Sequence, residues 1–108
     1  MKNITVEELR KKIESGEKVN LIDVREPNEY AEANLGGQLI PLGRIQSFQV
    51  DEIEGLKDQE VIVHCRSGKR SMMACMILDS MGFTNTYNLE GGILAWQEKF
   101  GRSGANEK

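Results

Sequence analysis

A chain of 108 residues, 39% hydrophobic and 29% charged, has room for one buried core but not for two. A net charge of −3, with no basic stripe outside one loop, argues against a nucleic-acid partner. No run is long enough to cross a bilayer and Met1 to Glu8 lack the apolar core of a signal peptide, so the expectation is a cytoplasmic protein with no membrane partner.

The segment Thr5-Val-Glu-Glu8 has the spacing of a capping box. Val6, Leu9 and Ile13 follow on one helical face, and Gly16 stops the helix. Val19 to Val24 reads as a strand, broken by Glu26-Pro27; Pro27 suits the first turn of a short helix through Tyr30 and Ala33. Gly36-Gly37 marks a turn, and Leu39-Ile40 a very short strand closed by Pro41. Arg44 to Leu56 reads as one helical stretch with Ile45, Phe48 and Ile53 as its apolar residues.

Glu60 to His64 is a second strand. From Arg70 to Met81 the chain is apolar on nearly every side, which predicts a helix packed on more than one side and a methionine run inside the core. Gly82 ends that helix, Thr86 to Leu89 forms a last strand, and Gly91-Gly92 opens a helix bearing Leu94, Trp96 and Phe100, with Trp96 as a core anchor. Residues 1–100 are expected to form one domain and residues 101–108 a frayed polar tail. Alternating strands and helices imply an α/β fold: a mostly parallel central sheet with helices on both faces. In such sheets ligands bind at the carboxyl ends of the strands, where Arg25 and Cys65 fall.

Cys65 ends a strand and is followed by Arg66-Ser-Gly-Lys-Arg-Ser71, a polar loop leading into an apolar helix. A thiol at a helix mouth, beside the cations Arg66, Lys69 and Arg70, is acidified and so becomes a nucleophile. The plainer reading, a small buried hydrophobe, does not account for those cations. Cys75, mid-helix among methionines, does read as core. Two cysteines are too few for a disulfide framework, and no Cys-x-x-Cys or His-x3-His pair exists, so neither a metal nor a cofactor is expected. Strand alternation turns His64 away from the face of Cys65, and an ionised thiolate needs no base, so His64 reads as structural. Asp23 and Arg25 either meet substrate or, as favoured here, brace the loop or pair with Glu29. Ser67 and Ser71 are expected to line or cap the loop, and either can hydrogen-bond the sulfur.

Three pieces together resemble the single-domain rhodanese family of sulfurtransferases: Leu21-Ile-Asp-Val-Arg-Glu26 with Glu29-Tyr30, the loop Cys65 to Ser71, and Leu89-Glu-Gly-Gly-Ile-Leu-Ala-Trp96. The resemblance implies a rhodanese-like fold and a cradle of N–H groups converging on the Cys65 sulfur. It implies a thiolate that takes the outer sulfur of thiosulfate, releases sulfite, and passes the sulfur on from a persulfide. The implied partners are a small anionic sulfur donor, a thiol or cyanide acceptor, and in an alternative carrier role a sulfur-relay protein. Gly68 permits the dihedrals of a tight cradle, and successive N–H groups form an anion nest. Hydrogen bonds to a charged group are worth roughly 1.5–3 kcal/mol each, and a pKa unit about 1.4 kcal/mol. Two or three of them therefore suffice to bring a thiol from about 8.5 to below neutral. The run Asn34-Leu-Gly-Gly-Gln38 departs from the family's usual rim segment and is about one residue shorter. A cysteine phosphatase or arsenate reductase is the other reading for a His-Cys loop. Tyrosine phosphatases carry Cys-x5-Arg, whereas Cys65 to Arg70 is Cys-x4-Arg. One residue fewer removes up to ~3.5 Å of contour, and the smaller ring suits a lone sulfur.

Overall fold

The computed structural model describes residues 1–101, and the tail expected over 101–108 lies, beyond its first residue, outside them. Strand β1 (Lys2–Ile4) precedes helix α1 (Val6–Glu14), and β2 (Leu21–Asp23) precedes α2 (Pro27–Glu32). Next come β3 (Gln38–Leu39), α3 (Leu42–Gln46) and a 3-10 segment, Asp51–Leu56. The chain continues through β4 (Val61–His64), α4 (Lys69–Ser80), β5 (Thr86–Leu89) and α5 (Gly92–Phe100). The five strands form one sheet in the order β1-β5-β4-β2-β3, every pair parallel. The α/β class with helices on both faces is as the sequence predicts.

The capping box forms: Glu8 N–H donates to Thr5 Oγ1 at 3.1 Å, and Thr5 N–H to Glu8 Oε1 at 2.9 Å. Side chains alternate along β4, so Val61, Val63 and Cys65 join one core while Ile62 joins the other. The first core lies under α3 and α4, with Ile45, Ala74, Cys75 and Leu78. The second lies under α1 and α5, where Leu9, Ile93 and Trp96 are buried and Trp96 meets Phe100 edge-on at 4.8 Å. Among the described residues, no helix is long and apolar enough to cross a membrane.

Three expectations need correction. Lys2–Ile4 is a strand that the sequence reading lacks; three residues give no period, and pairing with β5 alone defines them. The single helix over Arg44 to Leu56 is two pieces. Phe48 breaks it with a left-handed φ of 60°, and its ring is exposed, not core. The methionine run is not core either: α4 lies on one face of the sheet and buries Ser71, Ala74, Cys75 and Leu78, leaving Met72, Met73 and Met76 in solvent.

Candidate active site

The parallel sheet delivers β4 to its carboxyl end, where Cys65 follows the last paired residue, His64. The chain then turns through Gly68, whose φ of 109° is open to glycine, and enters α4 at Lys69. This turn aims the Gly68 N–H at Cys65 Sγ, 3.1 Å away. The Ser71 hydroxyl, from the first turn of α4, stands 3.4 Å from the same sulfur. The residue is 1% exposed, so the sulfur lies at the floor of the loop.

A second helix fastens the loop from behind. The N–H groups opening α5 donate to loop carbonyls, Ile93 to Cys65 O at 2.9 Å and Leu94 to Arg66 O at 3.1 Å. Gly92 makes that approach possible: a Cβ there would lie 2.5 Å from both carbonyl oxygens. Asn88 on β5, which sequence reasoning missed, completes the support. Its side-chain amide donates to Gly68 O at 3.3 Å, and its carbonyl oxygen takes a short hydrogen bond from the Ser71 hydroxyl. That hydroxyl has one proton, so it serves either Asn88 or the sulfur, and a thiolate competes for it. The only sequence signal was an asparagine inside a strand, where asparagine is depleted.

Burial pushes the Cys65 thiol up. The Ser71 hydroxyl and backbone N–H, with the N–H groups of Gly68 and Ser67, more than offset it and hold the thiol below its ordinary value. At Cys75 burial outweighs the single hydroxyl donor, Thr86, and the thiol is pushed up to about 12. The two cysteines are thus opposite in character.

The three loop cations separate. Arg66 and Lys69 are exposed and have no ion pair among the described residues. Arg70 instead turns to α2 and grips Glu29 with two hydrogen bonds, at 2.8 and 3.0 Å. The Arg70 guanidinium lowers the Glu29 carboxyl to about 2. Asp23 and Arg25 lie beneath, both buried. Arg25 holds the Asp23 carboxylate at 2.8 to 3.2 Å and donates to Ala33 O at 2.7 Å and Glu29 O at 3.4 Å. The pair therefore braces the middle and C-terminal end of α2, and α2 presents Glu29 to Arg70. His64 is buried, with Nδ1 3.4 Å from Cys65 O and Nε2 3.6 Å from Asp23 without a hydrogen bond. Burial lowers its pKa, which keeps the ring neutral. The Asn34 to Gln38 run is anchored by Tyr30, whose hydroxyl donates to Gly37 O at 2.7 Å. Between α2 and α5 a cleft of about 170 Å³ opens, lined in part by Glu29, Glu32, Arg66 and Leu94.

The arrangement aims the Gly68 N–H and the Ser71 hydroxyl at the Cys65 sulfur with exposed positive charge at the rim, which suits a nucleophile that meets anions. Comparison with known proteins agrees in fold and in sequence. A family described as Rhodanese-like domain matches residues 5–99. The chain is 43% identical over 99 residues to the putative sulfurtransferase YtwF of Bacillus subtilis, covering 90% of this chain and 91% of that one. It is 34% identical to the putative sulfur carrier protein YrkF of the same organism, covering 89% of this chain and 51% of that one. The crystal structure of a rhodanese-like domain protein from Staphylococcus aureus superposes with a TM-score of 0.78 at 31% identity, covering 89% and 91% of the two chains.

Proposed function

The chain belongs to the rhodanese-like family, and from that premise we propose that it is a sulfurtransferase that carries sulfane sulfur on Cys65. The Cys65 thiolate attacks the outer sulfur of thiosulfate, the S–S bond of thiosulfate breaks, and sulfite leaves with the bonding pair. The new persulfide is then attacked by a thiol or cyanide, which departs with the outer sulfur and restores the thiolate. One observation carries this reading: Cys65 Sγ accepts the Gly68 N–H and lies within reach of the Ser71 hydroxyl, with its thiol held below the ordinary range.

In this reading Gly68, Ser67 and Ser71 stabilise the thiolate, while Arg66 and Lys69 attract the anionic donor. Arg70, tied to Glu29, positions the loop, and Asp23 and Arg25 position α2. The Cys-x4-Arg spacing weighs against phosphoryl transfer, because the ring is a residue short of the phosphatase one.

A second reading is favoured by the carrier relative: a persulfide carrier loaded by a partner protein. A donor screen separates the two. Turnover is followed with thiosulfate, mercaptopyruvate and a desulfurase-generated persulfide, each with cyanide as acceptor. The enzyme reading expects thiocyanate from thiosulfate alone. Thiocyanate only from the protein-borne persulfide would transfer the assignment to the carrier.

A further inference from the structure

The outer face of α4 has no part in the chemistry of Cys65. Met72, Met73 and Met76 are 44, 48 and 62% exposed. Met76 stands four residues after Met72 and three after Met73, so the three share one side of the helix. The Gln46 amide reaches Met73 Sδ at 3.6 Å, which joins this side to α3. Two residues on, Phe48 is 62% exposed with a left-handed φ of 60°. A bulky residue in that conformation is held against its own steric preference, and here it turns an aromatic ring into water.

We propose that this α4–α3 face docks a protein sulfur acceptor: a thiol protein with an apolar contact surface and acidic residues beside its reacting cysteine. The proposal rests on the sulfur-transfer reading of Cys65. The face is continuous with the loop, since α4 begins at Lys69. Charge selects the occupant. Lys69, the first residue of α4, is exposed at the end of this face without an ion pair among the described residues, Arg66 is exposed further round the loop at the α2–α5 cleft, and acidic residues around the partner's cysteine complement both. Four side chains also fall well short of the roughly 800 Å² per partner that a stable complex buries, as a partner released at each turnover requires. Methionines are unbranched and adapt to the surface they meet. The acceptor's cysteine must protrude, because Cys65 lies at the floor of its loop. Its thiolate attacks the outer sulfur of the persulfide; the new S–S bond forms as the bond to Cys65 Sγ breaks, and Cys65 leaves as thiolate. No outside oxidant or reductant is needed.

The test uses the full chain with thiosulfate as donor and two acceptors in parallel, cyanide and reduced thioredoxin as a small acidic thiol protein. The variants are Met73→Glu, Met76→Glu and Phe48→Gly, the last of which removes the ring while relieving the backbone. Each should raise the KM for thioredoxin about fivefold or more, as loss of one contributing interface side chain does. Thiocyanate formation should stay within about twofold of wild type, because no variant touches the cysteine loop. A thioredoxin KM unmoved in all three variants would overturn the proposal, as would equal loss with both acceptors. A wild-type dimer abolished by Met76→Glu would assign the face to self-association instead. A wild type that makes no thiocyanate would sink the sulfur-transfer reading, and this proposal with it.

Discussion

Replacing Gly92 with alanine should detach the cysteine loop from α5. The added Cβ would sit 2.5 Å from the carbonyl oxygens of both Cys65 and Arg66, and no rotamer relieves a contact between backbone and Cβ. Relief means moving the helix start, which sacrifices the bonds from Ile93 and Leu94 N–H to those carbonyls. Each is worth about 1 kcal/mol net. The left-handed conformation at φ 59° costs a non-glycine residue about 1–2 kcal/mol more. The sum is about 3–4 kcal/mol, or a fall in Tm of ~12 °C or more for a domain of this size. Gly43→Ala in α3 is the control, since a Cβ there meets nothing within 4 Å. Thermal unfolding reads the stability, and the pH dependence of Cys65 alkylation reads the loop. The thiol should alkylate with an upward-shifted pKa as the cradle loosens. A Gly92→Ala protein with wild-type Tm and an unchanged alkylation profile would refute the account of how α5 holds the loop.

Lys69→Ala or Arg66→Ala should raise the KM for thiosulfate more than either lowers kcat, and in the wild type rising salt should raise KM by screening. Steady-state thiocyanate formation checks both, and a salt-independent KM would contradict capture by charge. Glu29, held at about 2 by Arg70, gives stability that is full above its unfolded value near 4.3 and is lost as pH falls through about 2. Acid unfolding should therefore show a shallower slope over that window in Glu29→Gln; an equal slope would mean that the ion pair adds nothing. His64, lowered by burial, acts in the same sense at higher pH: its contribution is full above about 6.5 and declines below it, by at most about 1.4 kcal/mol per pH unit. Urea midpoints at pH 5.5 and 7.5 should differ less in His64→Leu than in wild type, and identical differences would place the titration elsewhere.

The candidate nucleophile was legible because one short segment carries all of its local causes: a strand end, a glycine turn, a hydroxyl and a helix start. Its support was not, because the partners are distant in sequence. Arg70 finds Glu29 across 41 positions, and Asn88 finds Gly68 and Ser71 across 20 and 17. In sequence Arg70 looks like Arg66 and Lys69; only the placement of α2 makes it an anchor. The sheet class followed from alternating elements, but β1 is too short to show a period. The methionines of α4 misled for a different reason. Burial is read from contrast between apolar and polar faces, and between Lys69 and Ser80 the outer face of α4 carries only methionine, which offers no contrast. Phe48 misled because an aromatic residue in helical register reads as core, and nothing local announces a left-handed backbone.

Intact-protein mass measured before and after incubation with thiosulfate tests the central claim most directly. The wild type should gain the mass of one sulfur atom and lose it on addition of cyanide. Cys65→Ser should gain nothing, because a hydroxyl stays protonated in a nest that ionises a thiol. Cys75→Ser should still take up the sulfur, since the Cys75 thiol is pushed up to about 12 and stays protonated in the core. An adduct that survives Cys65→Ser and disappears in Cys75→Ser would contradict the account.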